Sequence, residues 1–302
     1  MVVTLTTAGG CAVTTADELA LGERYHQEFE KESGGRLNDP VVQSYVSEVG
    51  MSMVPLAGRP EMQWQFHVLR SNDVNAFAVP GGYIYITAGL LFRMQNEAQL
   101  AGVLGHEIGH IAARHSAQRI ERSQTVGLLT AGVSILAEQA GMAAAGELGS
   151  AVGQLYLLRY SREHEREADM LGLKYMTRAG YNPRGIVQLM EILQAASGSE
   201  RAGPLGEWTM THPDPGNRID YLNAAIAEKY REAENTGRWG VPEFRNNVLD
   251  RRRVELPPLD LSNPVLWCGH CREAARGEQA RGQAAGERPT ELLREVAGTL
   301  GG

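Results

Sequence analysis

The sequence predicts an α+β fold that is mainly α-helical, with a small β-sheet next to one apolar helix. Three observations predict it. Apolar residues recur at helical spacing over most of the first 235 residues, and three short segments between residues 64 and 87 have the composition of strands. Segment 100–113 is apolar or small at nearly every position around a polar motif, which is typical of a helix buried in a domain core.

Helical spacing predicts the first two elements. Residues 17–31 and 40–54 each place apolar side chains on one face, and Asp17 can cap the first of these helices. Residues 64–69 alternate and predict a strand. Residues 76–79 and 83–87 predict a strand pair around a Pro-Gly-Gly turn.

The rest of the predicted domain is helical. The predicted helices are 97–121, 143–158, 162–178, 183–196 and 215–232. From about residue 235 the content of Arg, Gly, Pro and Glu rises and helical periodicity weakens. We therefore predict a domain over residues 17–235 and a partly ordered C-terminal extension over 236–302.

The composition excludes several classes of protein. The 302 residues are 43% hydrophobic and 22% charged, as in ordinary globular domains and not as in disordered chains. The formal net charge of −7 excludes a nucleic-acid binder held by bulk positive charge, so we expect no nucleic-acid partner. Three cysteines near the two ends of the chain are too few for a disulfide scaffold.

Neither of two long uncharged segments in the interior of the sequence has the features of a membrane-spanning helix. Segment 74–92 contains a Pro-Gly-Gly turn, and segment 123–137 is shorter than the roughly 20 residues that a spanning helix needs. We therefore expect no transmembrane helix. Residues 1–16 form an uncharged tail in which Ala8-Gly9-Gly10-Cys11 resembles the end of a bacterial lipoprotein signal, so Cys11 is a predicted lipid anchor.

The residues 106–110 form an HExxH motif, His106-Glu107-Ile108-Gly109-His110. On a helix the two histidines lie about 40° apart on one face, so both imidazoles can bind the same zinc ion. The carboxylate of Glu107 is close enough in angle to reach a water molecule on that zinc. The motif therefore predicts a zinc site with Glu107 as its general base.

A catalytic zinc needs a third protein ligand. A metzincin would supply a histidine six residues after His110, but Ser116 stands there and His115 would face elsewhere on a continuous helix, so that class is excluded. The alternative is an acidic residue on a later helix. Spacing favours Glu165, because Glu165 and Asp169 share one helical face and Asp169 could then hold a ligand histidine. His164 and Glu167 remain alternatives.

Four segments together resemble the zinc metallopeptidase family that includes the CAAX prenyl endopeptidase, the membrane peptidase HtpX and the periplasmic proteases BepA and LoiP. The segments are Asn75-Ala76-Phe77-Ala78 with Pro80-Gly81-Gly82; His106 to His110; Ser161-Arg162 with Glu165 and Ala168-Asp169; and Thr211-His212-Pro213 with Arg218-Ile219. The resemblance covers residues 17–230. Because spanning helices and tetratricopeptide-type repeats are not predicted, the chain is most similar to the short, soluble periplasmic type such as LoiP.

The resemblance implies a gluzincin core, similar to that of thermolysin, with one zinc ion per chain. It implies Glu165 as the third ligand beside His106 and His110. It also implies that Asp169 orients a ligand and that Arg218 pairs with Asp169.

Two further roles come from the resemblance alone. His212 is implied near the zinc, where it stabilises the oxyanion or occupies the open coordination position. Asn75, Ala76, Tyr83 and Ile84 are implied to line the edge at which an extended peptide substrate adds as a strand.

The implied function is a zinc-dependent endopeptidase that acts on unfolded or misfolded proteins in quality control of the bacterial cell envelope. The implied location is the periplasm, which favours lipid attachment at Cys11. The alternative is a latent or chaperone-like zinc protein that binds unfolded clients with little proteolysis.

A third reading concerns Trp267-Cys268-Gly269-His270-Cys271, which looks like the active site of a protein disulfide isomerase. A thioredoxin-like domain needs a strand before the cysteine pair and a longer sequence after it. We therefore expect a local disulfide at Cys268 and Cys271 in preference to redox catalysis, with half of a second metal site as the alternative.

Overall fold

The computed structural model describes residues 12–32, 35–122, 160–197, 212 and 216–251. The predicted helix 143–158, the predicted lipid anchor Cys11 and the pair Cys268 and Cys271 lie outside the described residues. Within the described ranges, no helix combines the length and the apolar character that crossing a membrane requires.

Helix α1 spans Thr15–Glu32 and helix α2 spans Pro40–Met51. The cap of α1 is Thr14 and not Asp17 as predicted. The Thr14 hydroxyl accepts from the Asp17 N–H at 3.2 Å, and the Asp17 carboxylate accepts from the Thr14 N–H at 2.8 Å. Asp39 caps α2 by accepting from the N–H groups of Val41 and Val42.

The three predicted strands form one sheet in the order β1-β3-β2. Strand β1 spans Gln65–Leu69, β2 spans Ala76–Val79 and β3 spans Tyr83–Thr87. Strand β3 is central, since it pairs in parallel with β1 and antiparallel with β2. The Pro80–Gly82 turn that joins β2 to β3 has positive φ angles at both glycines, 86° and 109°, which disfavour other residues there.

Both faces of the sheet are buried, which explains why β3 is apolar without a solvent face. Its isoleucines Ile84 and Ile86 belong to the main core, whereas Tyr83 and Tyr85 belong to a second aromatic cluster. Tyr25 of α1 completes that cluster. Helix α1 also lies against the Pro80–Gly82 turn.

Helix α3 spans Ala88–Leu91, and helix α4 spans Glu97–Ala112 with Asn96 as its cap. The predicted helix 97–121 is interrupted, because Arg114 adopts a left-handed conformation with φ of 59° and helical structure resumes only over residues 115–122. The Arg114 guanidinium binds the buried carboxylate of Glu18 at 3.2 Å and the Val13 carbonyl, which supports this turn. The sequence has no Gly or Pro there to indicate a break.

The remaining described helices are α5 Arg162–Arg178, α6 Arg184–Ser197, α7 Gly216–Lys229, α8 Arg231–Thr236 and α9 Val241–Asn247. The predicted helix 215–232 is divided at Tyr230 into α7 and α8. Helix α4 is central to the domain and packs against α2, α5, α6 and β2.

The core continues past residue 235. Phe244 of α9 and Val248 are fully buried in the main core, and α9 packs on both α2 and α4. The beginning of the predicted extension 236–302 therefore packs with the domain. The assignment of residues 252–302 stays a prediction, because they lie outside the described ranges.

Candidate metal centre

Helix α4 places two histidines side by side in the core. His106 and His110 are both buried, and their Nε2 atoms lie 3.0 Å apart. The spacing of four residues is one helical turn, so the two rings project from the same face. The glycine at position 109 lets α5 approach, since a Cβ there would lie 2.8 Å from the Ala168 carbonyl oxygen.

Helix α5 adds Glu165 to this pair. Its Oε1 lies 3.4 Å from His110 Nε2, and its Oε2 lies 3.7 Å from His106 Nε2. His164 and Glu167, the alternatives from spacing, turn elsewhere. His164 Nε2 lies 3.1 Å from Gln118 Oε1, and Glu167 lies 3.3 Å from His115 with a side chain that is 58% exposed.

His212 joins the group from a distant part of the chain. Its Nδ1 is 2.8 Å from Glu165 Oε1. One donor atom from each of His106, His110, Glu165 and His212 lies within 4.8 Å of the other three, and all four side chains are buried. Three imidazole nitrogens and one carboxylate oxygen make four donors, which is the number in a tetrahedral site. Donors of these types fit zinc and related transition metals.

Asp169 and Arg218 lie next to this cluster and contact two of its members, His106 and Glu165. Asp169 Oδ1 is 2.8 Å from His106 Nδ1, so it can accept the proton on the side of the ring that faces away from the cluster. Arg218 donates to both oxygens of Asp169, at 2.6 and 2.8 Å, and to Glu165 Oε2 at 2.9 Å. The Tyr221 hydroxyl also donates to Asp169.

These contacts set the charges of the buried acids. Burial favours the neutral form of Glu165, but the charges of His212 and Arg218 outweigh it and hold the Glu165 pKa well below its ordinary value. Burial likewise opposes ionisation of Asp169, but the charge of Arg218 lowers its pKa overall. Burial lowers the pKa of His110 well below its ordinary value, so its ring is neutral and able to bind a metal.

Glu107 differs from the other acids of the cluster. Its carboxylate is fully buried, and neither oxygen has a hydrogen-bond partner in the described part of the chain. Burial raises its pKa. Its Oε1 lies 4.0 Å from His212 Nε2. A buried carboxylate without a partner is costly, which indicates a group that meets a water or a substrate during function.

Three residues that pack around the site were not assigned to it from the sequence. The Tyr160 ring stacks on His110 with 3.9 Å between centroids, and Arg119 covers the Tyr160 ring at 3.8 Å. His115 Nδ1 lies 2.9 Å from His110 Nδ1. The prediction that His115 faces elsewhere was wrong, because it assumed a helix without the break at Arg114.

The predicted substrate edge needs a correction. Tyr83 and Ile84 lie on the central strand β3, whose backbone pairs with β1 on one side and β2 on the other. The prediction that an extended peptide adds there was wrong, since no free edge remains on β3. Ala76 begins strand β2 at one edge of the sheet, and Asn75 directly precedes it with a buried side-chain amide that has no hydrogen-bond partner among the described residues.

Comparison with known proteins agrees with this arrangement. The model of peptidase family M48 matches residues 40–226, which is more than half of the chain. The chain belongs to peptidase family M48. The matched range begins at α2 and ends in α7, so it contains all the residues of the buried cluster.

Curated relatives of this M48 protein include proteases from bacteria and eukaryotes. The β-barrel assembly-enhancing protease of Escherichia coli is 32% identical over 223 residues, which cover 70% of this chain and 44% of that protein. The mitochondrial metalloendopeptidase OMA1 of Schizosaccharomyces pombe is 32% identical over 193 residues, covering 64% of this chain and 55% of that protein. The chain spans less than half the length of the bacterial relatives that it matches.

Proposed function

We propose that this M48 protein is a zinc-dependent endopeptidase with His106, His110 and Glu165 as its metal ligands. The observation that carries the proposal is the convergence of these buried donors within 4.8 Å, next to the unpartnered carboxylate of Glu107. Two ligands one turn apart on α4 and a carboxylate from the later helix α5 correspond to a gluzincin, thermolysin-like core.

The residues around the metal have distinct tasks in peptide hydrolysis. A zinc ion held by these residues would supply Lewis acidity and would lower the pKa of a water molecule toward about 7. Glu107 takes the proton of the attacking water and passes it to the leaving amine. Its position inside a closed, buried site, with a raised pKa, suits both steps.

His212 and the pair formed by Asp169 and Arg218 complete the proposed machinery. His212 stabilises the negative charge that develops on the scissile carbonyl oxygen. Asp169 holds His106 in the tautomer whose Nε2 is free to bind a metal, because its Oδ1 accepts from Nδ1 at 2.8 Å. Arg218 keeps Asp169 and Glu165 ionised and in place.

We propose unfolded or misfolded proteins as substrates. Only an extended segment can lie along a strand edge, and β2 is the edge that packs against α4. Asn75 and Ala76, at the start of β2, are the proposed contacts with the substrate backbone. The name of the E. coli relative refers to β-barrel assembly, which supports a role for this chain in protein quality control of the bacterial cell envelope.

We also propose that the protein acts in the periplasm, attached through lipid at Cys11. The support is Ala8-Gly9-Gly10-Cys11, which has small residues before a cysteine as lipoprotein signals do. In cells that express the full chain, Cys11→Ser should move the protein from the membrane fraction to the soluble fraction. An unchanged membrane fraction would contradict lipid attachment at this residue.

Casein cleavage by the purified, zinc-loaded protein tests the proposed activity. The wild type and a control, Glu191→Gln on the exposed face of α6, should cleave casein, whereas Glu107→Gln should not. All three should bind one zinc ion, because Glu107 is not a proposed ligand. Equal cleavage by Glu107→Gln would contradict the proposal and indicate another active site or a contaminating protease.

One observation favours a second candidate, a latent or chaperone-like zinc protein. His212 lies among the donors, 2.8 Å from Glu165, and a metal with four protein ligands is typical of a closed, structural site. In that case His212→Ala should increase casein cleavage, whereas an oxyanion-stabilising His212 predicts a decrease of about 10²–10³-fold. A client-binding role further predicts that wild type and Glu107→Gln suppress aggregation of an unfolded protein equally.

A further inference from the structure

We infer that His115 is a positioning residue for the ligand His110, and that Glu167 positions His115 in turn. The inference rests on the proposed function, because it requires His110 to bind a metal. The observation behind it is a row of three side chains, His110, His115 and Glu167, in which each contacts the next. His115 Nδ1 lies 2.9 Å from His110 Nδ1, and His115 Nε2 lies 3.3 Å from Glu167 Oε2.

Only one placement of protons on the two rings makes both contacts of this row hydrogen bonds while His110 binds a metal. His110 presents Nε2 to His106 and Glu165, so a neutral His110 that binds a metal carries its proton on Nδ1. That proton needs an acceptor, and the atom at hydrogen-bond distance is His115 Nδ1. A neutral His115 that accepts at Nδ1 carries its own proton on Nε2, which then faces the acceptor Glu167.

The backbone break at residue 114 makes the contact possible. On a continuous helix a residue five positions after His110 would be rotated by about 140° from it. The left-handed Arg114, with φ of 59°, turns the chain so that His115 points back toward His110. Arg114 is tied to Glu18 of α1 at 3.2 Å, so a contact far along the sequence supports the turn.

Packing on both rings limits their rotation. The His115 side chain is fully buried and stacks on His164 with 4.3 Å between centroids and 19° between planes. Tyr160 stacks on His110 with 3.9 Å between centroids. The two metal-facing histidines are therefore held differently, His106 by the carboxylate of Asp169 directly and His110 by a carboxylate through a second imidazole.

Zinc affinity, measured by competition with a chelator, tests the inference independently of peptidase activity. His115→Phe keeps the ring but removes the acceptor, and we expect the zinc dissociation constant to rise about 10–100-fold. His115→Asn keeps an oxygen near the position of Nδ1, and we expect its affinity to stay within about threefold of wild type. His164→Phe, which preserves the stack on His115, serves as the matched control and should not change the affinity.

Glu167 is tested in the same assay. Glu167→Ala should weaken zinc binding less than His115→Phe does, because water can replace an exposed carboxylate. In a His115→Phe background it should have no further effect, since its partner nitrogen is gone. Equal losses from Glu167→Ala in the two backgrounds would overturn the role of Glu167.

Nitrogen-15 NMR of the zinc-loaded wild type keeps the inference falsifiable if His115→Phe does not fold. The spectrum should show the His110 proton on Nδ1, hydrogen-bonded and slow to exchange, and the His115 proton on Nε2. A proton on Nδ1 of His115, or wild-type zinc affinity of a folded His115→Phe, would overturn the inference. Absence of zinc binding by the wild type would instead overturn the proposed function.

Discussion

Asp169 on α5 and His106 on α4 are joined by a 2.8 Å contact between Oδ1 and Nδ1, in the interior of the domain. The Asp169 carboxylate is not alone in that environment, because Arg218 binds both of its oxygens. A carboxylate with a partner on each side is fixed in position and in charge. His106 is therefore held in one ring orientation before any metal is bound.

Asp169→Asn should weaken zinc binding by about 10–100-fold without unfolding the domain. The amide keeps the size of the side chain but lacks the charge that polarises His106, and it cannot accept both hydrogen bonds from Arg218. Chelator competition measures the affinity, with the exposed Asp220→Asn on α7 as control. Equal zinc affinities for the two variants would show that Asp169 does not orient the ligand.

Removal of the metal should abolish casein cleavage but leave the domain folded at 25 °C. Glu165 and Asp169 keep a charged partner, Arg218, after chelation, so neither of these two buried carboxylates loses its compensating charge. Far-UV circular dichroism with and without chelator measures this. Arg218→Met should instead cost about 3–5 kcal/mol of stability, because it takes the guanidinium charge away from two buried acids. Loss of helical signal by the metal-free wild type would contradict this account.

Asn75→Ala should raise the KM for an extended peptide and leave the stability of the domain almost unchanged. Thr87 binds the backbone N–H and carbonyl of Asn75, at 3.1 and 3.0 Å, whereas the Asn75 side chain has no partner within the described ranges. The variant therefore removes no internal side-chain hydrogen bond that holds the fold. Steady-state kinetics and urea unfolding measure the two effects, with the exposed Asn235→Ala as control. A large loss of stability without a change in KM would assign Asn75 a structural role.

The sequence was sufficient to predict which residues of one helix lie on the same face. The four-residue spacing of His106 and His110 needs only the helical period, and the shared face of Glu165 and Asp169 follows in the same way. It could not place His115, because the break at Arg114 depends on a contact with Glu18 that no local pattern indicates.

The sheet also depends on a contact between residues far apart in the sequence. The segments that became β2 and β3 could be recognised from their composition and from the turn between them. The position of β1 beside β3 could not be recognised, because the alternation of side chains along a strand does not say which distant strand lies next to it. The family resemblance implied that Tyr83 and Ile84 lie at an edge, but β1 from earlier in the chain closes that side of β3.

Gly172→Ala should lower both stability and zinc affinity. Helices α4 and α5 approach so closely that a Cβ at position 172 would lie 2.7 Å from the backbone nitrogen of His106. The contact is with backbone, so the helices must separate, and overpacking of this kind costs about 1–3 kcal/mol. Separation also moves Glu165 away from His106. Urea unfolding and chelator competition measure the effects, with Lys174→Ala on the same helix as control; wild-type values for Gly172→Ala would contradict this packing.

His67 on β1 should make the protein sensitive to acid. This residue is only 5% exposed, and its ring packs against His26 and Tyr85. Its Nε2 has no hydrogen-bond partner in the part of the chain that the structure describes. Burial lowers the His67 pKa from 6.5 to about 3, and the nearby charges of Arg36 and His26 add to this. Between pH 6.5 and about 3, His67 is protonated in the unfolded chain but not in the folded chain. The free energy of unfolding therefore falls as the pH falls through this range.

His67→Phe should remove this part of the acid sensitivity, because phenylalanine keeps the aromatic packing and cannot be protonated. The loss from His67 amounts to about 1.4 kcal/mol per pH unit below its unfolded value, so about 2 kcal/mol between pH 6.5 and 5. Urea unfolding of both metal-free proteins at pH 7 and pH 5 measures it, since protonation at the metal site then affects both equally. The stability advantage of His67→Phe over wild type should grow by about that amount on acidification. A difference between the two proteins that does not change with pH would show that His67 is protonated equally in the folded and unfolded chains.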